Sequence, residues 1–174
     1  MEERDEDREW IRQSLEGDAG AFEAVVCKYQ RMIHALTYRM SGSLADAEDL
    51  AQETFIRAYR QLGQFRGDAK FSSWLYRIGI NTCLNWQKSR QRREGLQQQW
   101  VETPLVSSGE ETSERVRAAL SQLPAKQRAA IVLTVYEEMN HAEAARVLGC
   151  SETTVSWRVF MARKKLKQLL RTQE

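Results

Sequence analysis

Basic side chains are concentrated in two short stretches of this 174-residue sequence, and such stretches can neutralise phosphate groups. In residues 88–93, KSRQRR, four of the six residues are Lys or Arg, and the segment Arg158–Arg171 contains six basic residues and no acid. The first nine residues hold six acids, so the net charge is only +2. A solvated helix face would account for either cluster alone. Two clusters on one small chain favour a nucleic-acid partner that is contacted at two places.

Residues 140–170 have the spacing of a helix-turn-helix, a motif that places one helix in the major groove of DNA. Ala145 would allow the two helices to cross closely, Gly149 would form a left-handed turn, and Val155 would pack the second helix onto the first. Residues 140–143 form the pattern of a capping box, and Ser151 can cap the second helix. The outward face of that helix carries Thr153, Trp157, Phe160, Met161 and Lys164.

Few residues in the sequence could support catalysis or hold a metal ion. Cys27, Cys83 and Cys150 are too far apart for a zinc site or a disulfide framework, and we expect each to lie in an apolar helix face. His34 and His141 have no partner at a ligand or catalytic spacing, and no phosphate-binding loop or nucleophile motif occurs. We therefore expect no enzymatic activity, no cofactor and no metal. No apolar stretch could span a membrane and no signal peptide is present, which predicts a cytoplasmic protein without membrane insertion.

Apolar residues recur at helical spacing along nearly the whole chain, which predicts an all-α fold of two small helical domains. Residues 1–94 would form the first domain, with a short helix around Trp10–Leu15 followed by three long helices. Residues 95–112 have no sustained period and would form a flexible linker. Residues 113–174 would form the second domain, which contains the helix-turn-helix. Its helix after Pro124 is expected to bury Ile131, Val132, Val135 and Met139.

Two helices of the first domain have faces that could bind partners. Helix 43–62 carries an acidic strip opposite its apolar stripe, made of Asp46, Asp49, Gln52 and Glu53. A solvated face with a Glu53–Arg57 ion pair is the ordinary interpretation of such a strip. Helix 71–93 combines aromatic residues with amides such as Asn81 and with a basic end. That combination suits unstacked bases of single-stranded nucleic acid, although core packing would explain Trp74 on its own.

Three blocks of sequence follow one another in the order of a known family. They are AEDLAQETFIRAYRQLGQFRG (47–67), AKFSSWLYRIGINTCLN (69–85) and LPAKQRAAIVLTVYEEMNHAEAARVLGCSETTVSWRVFMARKKLKQLL (123–170). These blocks resemble the two domains of a bacterial sigma-70-family sigma factor, and the predicted linker lies where that family has one. The two-domain organisation makes the chain similar to the extracytoplasmic-function (ECF) group of that family.

The resemblance implies a role for each surface. Asp49, Gln52 and Glu53 would bind the clamp helices of the largest subunit of core RNA polymerase. The minus-ten promoter element would be captured, as its strands separate, by Phe65, Arg66, Lys70, Trp74, Arg77, Asn81, Lys88 and Arg90. The second domain would bind the polymerase flap and contact the minus-thirty-five element as duplex through Ser151, Thr153, Thr154, Ser156, Trp157, Arg158 and Lys164. The resemblance also implies a membrane-anchored anti-sigma factor as a partner.

Two other functions fit the residues without the resemblance. An autonomous helix-turn-helix repressor or activator would bind duplex DNA without help, and a two-fold dimer would contact half-sites ~34–36 Å apart. An interaction scaffold would use the acidic strip and the basic faces only to dock proteins. Binding to core RNA polymerase, followed by transcription from specific promoters, would separate the sigma factor from both alternatives.

Overall fold

The computed structural model describes residues 2–94 and 111–171 of the chain. Within these two ranges, every regular element is helical, which confirms the all-α fold predicted from the apolar periodicity. The predicted linker falls on residues 95–112, of which 95–110 lie outside the described residues. The described chain therefore forms an N-terminal and a C-terminal helical unit.

The N-terminal unit contains α1 (Glu2–Leu15), α2 (Ala19–Ser41), α3 (Leu44–Gln61) and α4 (Phe71–Glu94), with a 3₁₀ turn after α3 at Leu62–Gln64. Asp18 caps α2 by accepting hydrogen bonds from the next turn, and Gly42 ends α2 with a left-handed φ of 77°. Ser43 then caps α3 through the Asp46 amide. The predicted stop at Gly42 and start at Ser43 are both confirmed.

The core of this unit lies around α2, which packs against α1, α3 and α4. Ile33, Leu36 and Leu75 are fully buried in it, and each contributes about 1.5–3 kcal/mol of hydrophobic stabilisation. Helix α4 approaches α2 closely at Gly79, where a Cβ atom would come within 2.9 Å of Leu36 Cδ2. A side chain at Gly79 would therefore force the buried Leu36 side chain to shift, which would disturb the packing of α4 on α2.

Helix α1 is longer than the sequence analysis predicts, because it begins at Glu2 rather than near Trp10. Its acidic first turns lack an apolar period but suit the positive end of a helix dipole. They also make specific polar contacts with α2. The buried Asp7 accepts hydrogen bonds from Tyr29 Oη at 2.7 Å and from Lys28 Nζ at 2.9 Å. These charge-assisted contacts hold in place a segment that has no apolar periodicity from which a helix could be predicted.

The C-terminal unit contains α5 (Glu111–Ser121), α6 (Ala125–Ile131), one π-helical turn (Val132–Tyr136), α7 (His141–Leu148) and α8 (Glu152–Arg171). The expectation that Val135 is buried is wrong, because 48 % of this residue is exposed. In the π turn, the Glu137 amide donates to Val132 O at 3.1 Å, five residues earlier. This extra residue per turn rotates Val135 out of the stripe that an α-helix would bury.

The two units are in contact rather than separated. Helices α2 and α4 of the N-terminal unit pack against α5, α6 and α7, and buried apolar residues of both units form one cluster. Two of those residues, Cys83 on α4 and Ala129 on α6, have no exposed surface. The sequence predicts two units joined by a flexible linker, and nothing in its residue pattern indicates that the units touch.

Candidate nucleic-acid interface

The helix-turn-helix is built as its residue spacing predicts. Gly149 ends α7 in the left-handed region with a φ of 61°, a conformation that residues with a Cβ atom rarely adopt. Ala145 and Val155 are buried at the crossing of α7 and α8. The Asn140–Glu143 capping box begins α7, with both of its hydrogen bonds formed. The crossing is therefore fixed by local contacts and presents α8 to solvent.

The outward face of α8 is partly apolar. Trp157 is 57 % exposed and Phe160 is 65 % exposed, whereas Val155, Val159 and Ala162 on the opposite face are buried. Exposed Thr153 and Lys164 lie on the same outward face, and the predicted Met161 is only partly exposed. An exposed aromatic pair flanked by hydroxyl and ammonium groups can contact thymine methyl groups and phosphates in a major groove.

Several of the predicted α8 residues are held by contacts inside the unit. Ser156 Oγ lies 2.8 Å from His141 Nδ1, so a hydrogen bond joins the start of α7 to α8. Ser151 Oγ accepts from the Thr154 amide at 3.2 Å and caps α8. Arg158 turns back toward the turn and donates to Cys150 Sγ at 3.4 Å. Ser151 and Arg158 therefore hold the start of α8 in position.

A second candidate face lies on α4. Arg77, Asn81 and Lys88 are exposed and recur at helical spacing on one side of the helix. Trp74 lies on the same side but is partly buried. The basic and amide groups on this face can bind phosphate and the edges of unpaired bases.

The loop before α4 is anchored to this face by aromatic packing. The ring of Phe65 lies 5.3 Å from Phe71 and 5.5 Å from Trp74, measured between centroids. Exposed Arg66 and Lys70 extend from the same loop. Each edge-to-face or tilted aromatic contact contributes ~0.5–1.5 kcal/mol beyond its buried area. The loop is therefore held against α4, with its cations free to contact a phosphate backbone.

Arg90 is not brought together with the other predicted α4 residues. Its Nη1 lies 3.9 Å from Asp46 Oδ2 on α3, and its guanidinium lies 5.4 Å from the centroid of the Trp86 ring. At 100° per residue, Arg90 projects roughly opposite to Asn81. The structure therefore separates Arg90 from the α4 face defined by Arg77, Asn81 and Lys88.

The acidic strip on α3 faces solvent. Asp49 and Gln52 are exposed, and Glu53 Oε1 accepts from Arg57 Nε at 2.6 Å, which confirms the expected ion pair. Between and beyond these polar residues lie Ile56 and Tyr59, which sequence reasoning did not include. Both are large and roughly half exposed, at 45 % and 50 %. Their position on the polar face of an amphipathic helix was the signal that could have identified them.

A groove of about 610 Å³ borders the strip between α2 and α3. Its wall is mainly apolar and includes Val26, Ala35, Leu44 and Phe55, with Gln52 of the strip at its edge. The acidic strip, the exposed apolar residues and the groove thus form one continuous surface. Such a mixed surface is typical of protein–protein interfaces, which combine apolar anchors with a polar rim.

No thiol or metal cluster suggests further chemistry in the described ranges. Burial raises the pKa of Cys83 to about 12, so this thiol is protonated and unreactive at neutral pH. Cys27 is exposed, so the expectation that each cysteine lies in an apolar face is wrong for this residue. Across residues 2–94 and 111–171, no group of His, Cys, Asp or Glu could hold a metal ion. None of the helices described is both long and apolar enough to cross a bilayer.

A helix-turn-helix unit packed on a second helical unit with its own basic and aromatic face is the architecture of a DNA-binding protein. The family model described as Sigma-70 region 2 matches residues 25–93, and that described as Sigma-70, region 4 matches residues 113–166. The chain belongs to the sigma-70 family, in its ECF group.

Known relatives and solved structures resemble the chain over nearly its full length. The ECF RNA polymerase sigma factor SigM of Mycobacterium tuberculosis strain H37Rv is 34 % identical, over 94 % of this chain and 84 % of that protein. CnrH, solved in complex with the cytosolic domain of CnrY, gives a TM-score of 0.74 at 28 % identity, over 97 % of this chain and 99 % of CnrH. The sigma factor RpoE of Bartonella quintana, solved with the anti-sigma factor NepR, gives 0.71 at 26 % identity, over 88 % and 98 %.

Proposed function

We propose that this ECF sigma factor binds core RNA polymerase and directs it to promoters through three of its surfaces, the polymerase itself carrying out the chemistry. The observation that carries this proposal is the presence, in family order, of a solvent-facing acidic strip, a basic amide face and a helix-turn-helix. The protein is not an enzyme. Domains at 1–94 and 113–174, joined by 95–112, would carry the separate functions.

The α3 surface would bind the clamp helices of the polymerase. Asp49, Gln52 and Glu53 would supply the polar contacts, as the resemblance implies, and their exposure supports this role. Ile56 and Tyr59 would add apolar contacts next to these polar residues on α3. An autonomous repressor has no need of such a surface, so the strip favours the sigma factor over that alternative.

The α4 face would capture the minus-ten element. Asn81 would hydrogen-bond an unstacked base, while Arg77, Lys88 and the loop cations Arg66 and Lys70 would neutralise phosphates. Phe65 and Trp74 would hold the loop in place and offer ring faces to the bases. Arg90, paired with Asp46, would contribute to the stability of α4 against α3 rather than to the DNA face.

The α8 face would contact the minus-thirty-five element in the major groove, and the same unit would bind the polymerase flap. Thr153, Ser156, Trp157 and Lys164 face outward and would touch the DNA. Ser151, Thr154 and Arg158 lie toward the helix start or its flank, where they could reach the phosphate backbone. Trp157 would supply an apolar contact where a thymine methyl is presented.

An anti-sigma factor would bind the protein in the cytoplasm and keep it inactive. RpoE of Bartonella quintana is bound by an anti-sigma factor, and CnrH is bound by the cytosolic domain of its partner. A partner with a cytosolic domain fits the membrane-anchored inhibitor that the resemblance implies. The exposed apolar surface around Trp157 and Phe160 is available for such a partner.

A pull-down with core RNA polymerase, followed by run-off transcription on a genomic library, tests the proposed function. We expect the chain to co-purify with core enzyme and to yield discrete transcripts that core enzyme alone does not make. Specific binding of duplex DNA by the isolated chain at ~0.15 M salt, without polymerase retention, would instead support an autonomous repressor.

Replacing Asn81 with alanine tests the α4 face. We expect Asn81→Ala to reduce transcription from a duplex promoter at least about fivefold, equivalent to ~1 kcal/mol, with binding to core enzyme unchanged. A template melted in advance should recover part of the activity, because the unstacking free energy is no longer required. Gln91→Ala, another exposed amide on α4, serves as the control. Equal losses on duplex and melted templates would contradict a melting role.

A further inference from the structure

Helix α1 borders the loop that precedes α4. It contacts the 3₁₀ turn at the start of that segment, where Leu15 Cδ2 lies 3.9 Å from the position that a Cβ atom on Gly63 would take. Further along, a small cleft lies between the helix and the loop, and it is lined by Asp7, Arg8, Phe65, Gly67, Ala69 and Phe71. A helix to which the sequence analysis gives no function therefore adjoins the loop proposed to capture the minus-ten element.

The rotation of α1 about its own axis is fixed by Asp7. This buried carboxylate accepts hydrogen bonds from Tyr29 and Lys28 of α2, so the face of α1 that carries it must point inward. At ~100° per residue, Arg8 and Leu15 share one flank of the helix, about a quarter turn from Asp7. Because Leu15 meets the 3₁₀ turn, this flank faces the loop. Arg8 is exposed there.

The acidic residues of α1 do not neutralise Arg8. Glu6 Oε2 lies 3.8 Å from Lys28 Nζ, on the opposite flank of the helix, and Glu9 Oε1 lies 2.7 Å from Arg12 Nη2. No hydrogen bond or ion pair joins the Arg8 side chain to another residue in the described ranges. Its positive charge is therefore available to a ligand, whereas that of Arg12, one turn later, is already paired.

The loop brings two further cations to the same cleft. Arg66 and Lys70 are exposed, and the residues next to each of them in sequence line the cleft. Asp68 is the one acid in residues 65–70, so this loop has a net charge of +1 and Arg8 raises it to +2. Cations held close together without an acid partner attract anions such as the phosphate groups of DNA.

The size of the cleft determines which part of DNA it could bind. Its volume is about 10 Å³, which is about the space that one water molecule needs. A nucleobase is much larger, so bases would bind on the α4 face rather than inside the cleft. The cations at the rim can instead contact a phosphate group of the strand that carries those bases.

We propose that Arg8 binds a phosphate group of the unpaired minus-ten strand together with Arg66 and Lys70, so that α1 forms part of the DNA-binding surface. Asp7 is then a positioning residue, because its contacts with α2 turn Arg8 toward the loop. This inference rests on the proposed function, which places the minus-ten strand on the loop and α4.

Replacing Arg8 with alanine tests the proposal. The parent and the variant would each be assembled with core RNA polymerase. The probe is a labelled single-stranded oligonucleotide with the minus-ten element of a promoter found by run-off transcription, and fluorescence anisotropy measures its affinity at several salt concentrations. Losing one phosphate contact should reduce the slope of log affinity against log salt by ~0.7 and weaken binding about fourfold at ~0.15 M salt.

Two variants separate a phosphate contact from general charge and from a structural role. Arg8→Lys keeps a positive charge at this position and should keep the slope of the parent. Arg12→Ala removes an exposed cation from the same helix, but this arginine is paired with Glu9 and Glu16, so the slope should not change. Thermal melts of all variants should agree with that of the parent, because Arg8 makes no polar contact among the described residues.

Each contrary result has a definite meaning. Unchanged affinity and slope in Arg8→Ala would overturn the proposal. Weaker binding with an unchanged slope, or a loss that Arg8→Lys does not restore, would assign Arg8 a structural role and also overturn it. The same change of slope in Arg12→Ala would reduce the effect to general charge. A parent chain that forms no complex with core enzyme, or whose complex does not bind the oligonucleotide, would instead overturn the proposed function.

Discussion

Reversal of the acidic strip, Asp49→Arg/Glu53→Arg, is expected to lower the affinity for core RNA polymerase at least about tenfold. Carboxylates buried in an interface leave their partners unpaired when they are replaced, and a positive charge in their place adds repulsion. The fold should be nearly unaffected, because both residues face solvent and the Glu53–Arg57 ion pair contributes at most ~1 kcal/mol. A polymerase pull-down at several protein concentrations and a thermal melt would measure the two effects.

Two controls separate this effect from general charge and from the loss of the ion pair. Glu23→Arg reverses an exposed acid on α2 outside the strip, and Arg57→Ala breaks the ion pair while Asp49 and Glu53 remain. Both variants should bind core enzyme within about threefold of the parent. Unchanged affinity in the double reversal would remove α3 from the polymerase interface.

The second large effect is expected at Trp157. Trp157→Ala should abolish most transcription from the protein's own promoters, binding of an anti-sigma factor, or both, while the C-terminal unit stays folded. A buried tryptophan costs ~3–5 kcal/mol on truncation, but this residue is 57 % exposed and should cost less than ~1 kcal/mol. Thermal unfolding of the full chain and run-off transcription would measure the two outcomes.

Val159→Ala supplies the matched comparison, since Val159 lies on the buried face of the same helix. It should lower stability by about 1–3 kcal/mol, because it leaves a cavity, and it should leave the outward face intact. Trp157→Ala is therefore expected to lose function but keep stability, whereas Val159→Ala is expected to lose stability but keep function. A collapse of the Trp157→Ala melting transition would place this residue in the core and refute the surface interpretation.

Local chemistry explains why the helix-turn-helix could be predicted. Asn140, Gly149 and Ser151 each satisfy a backbone requirement within a few residues of themselves, so their spacing carries the signal. The acidic strip was predictable for a similar reason, because helical periodicity alone places Asp49 and Glu53 on one face. Their roles, in contrast, follow only from the resemblance, because a solvated helix face with an exposed ion pair would have the same residue pattern.

Contacts between distant parts of the chain could not be predicted from the sequence. Arg39 and Glu137 are 98 residues apart, and each looks like an ordinary surface charge. Arg128 is a charged residue outside the apolar pattern of its helix. It is nevertheless buried, because its guanidinium donates hydrogen bonds to three backbone carbonyl oxygens. The start of α1 is not predictable for the same physical reason: buried Asp7 is held by hydrogen bonds to α2 rather than by apolar burial.

The π turn at Val132–Tyr136 accommodates one extra residue at the end of α6. Each residue of a π turn advances by less than the ~100° of an α-helix, so the extra residue is absorbed within the turn. Removing one residue here and returning to α-helical hydrogen bonding would therefore leave the chain after the turn in nearly its present orientation. The exposed position that Val135 occupies would be lost instead. Among family members, this segment would tolerate the gain or loss of one residue without reorienting the helix-turn-helix relative to α6.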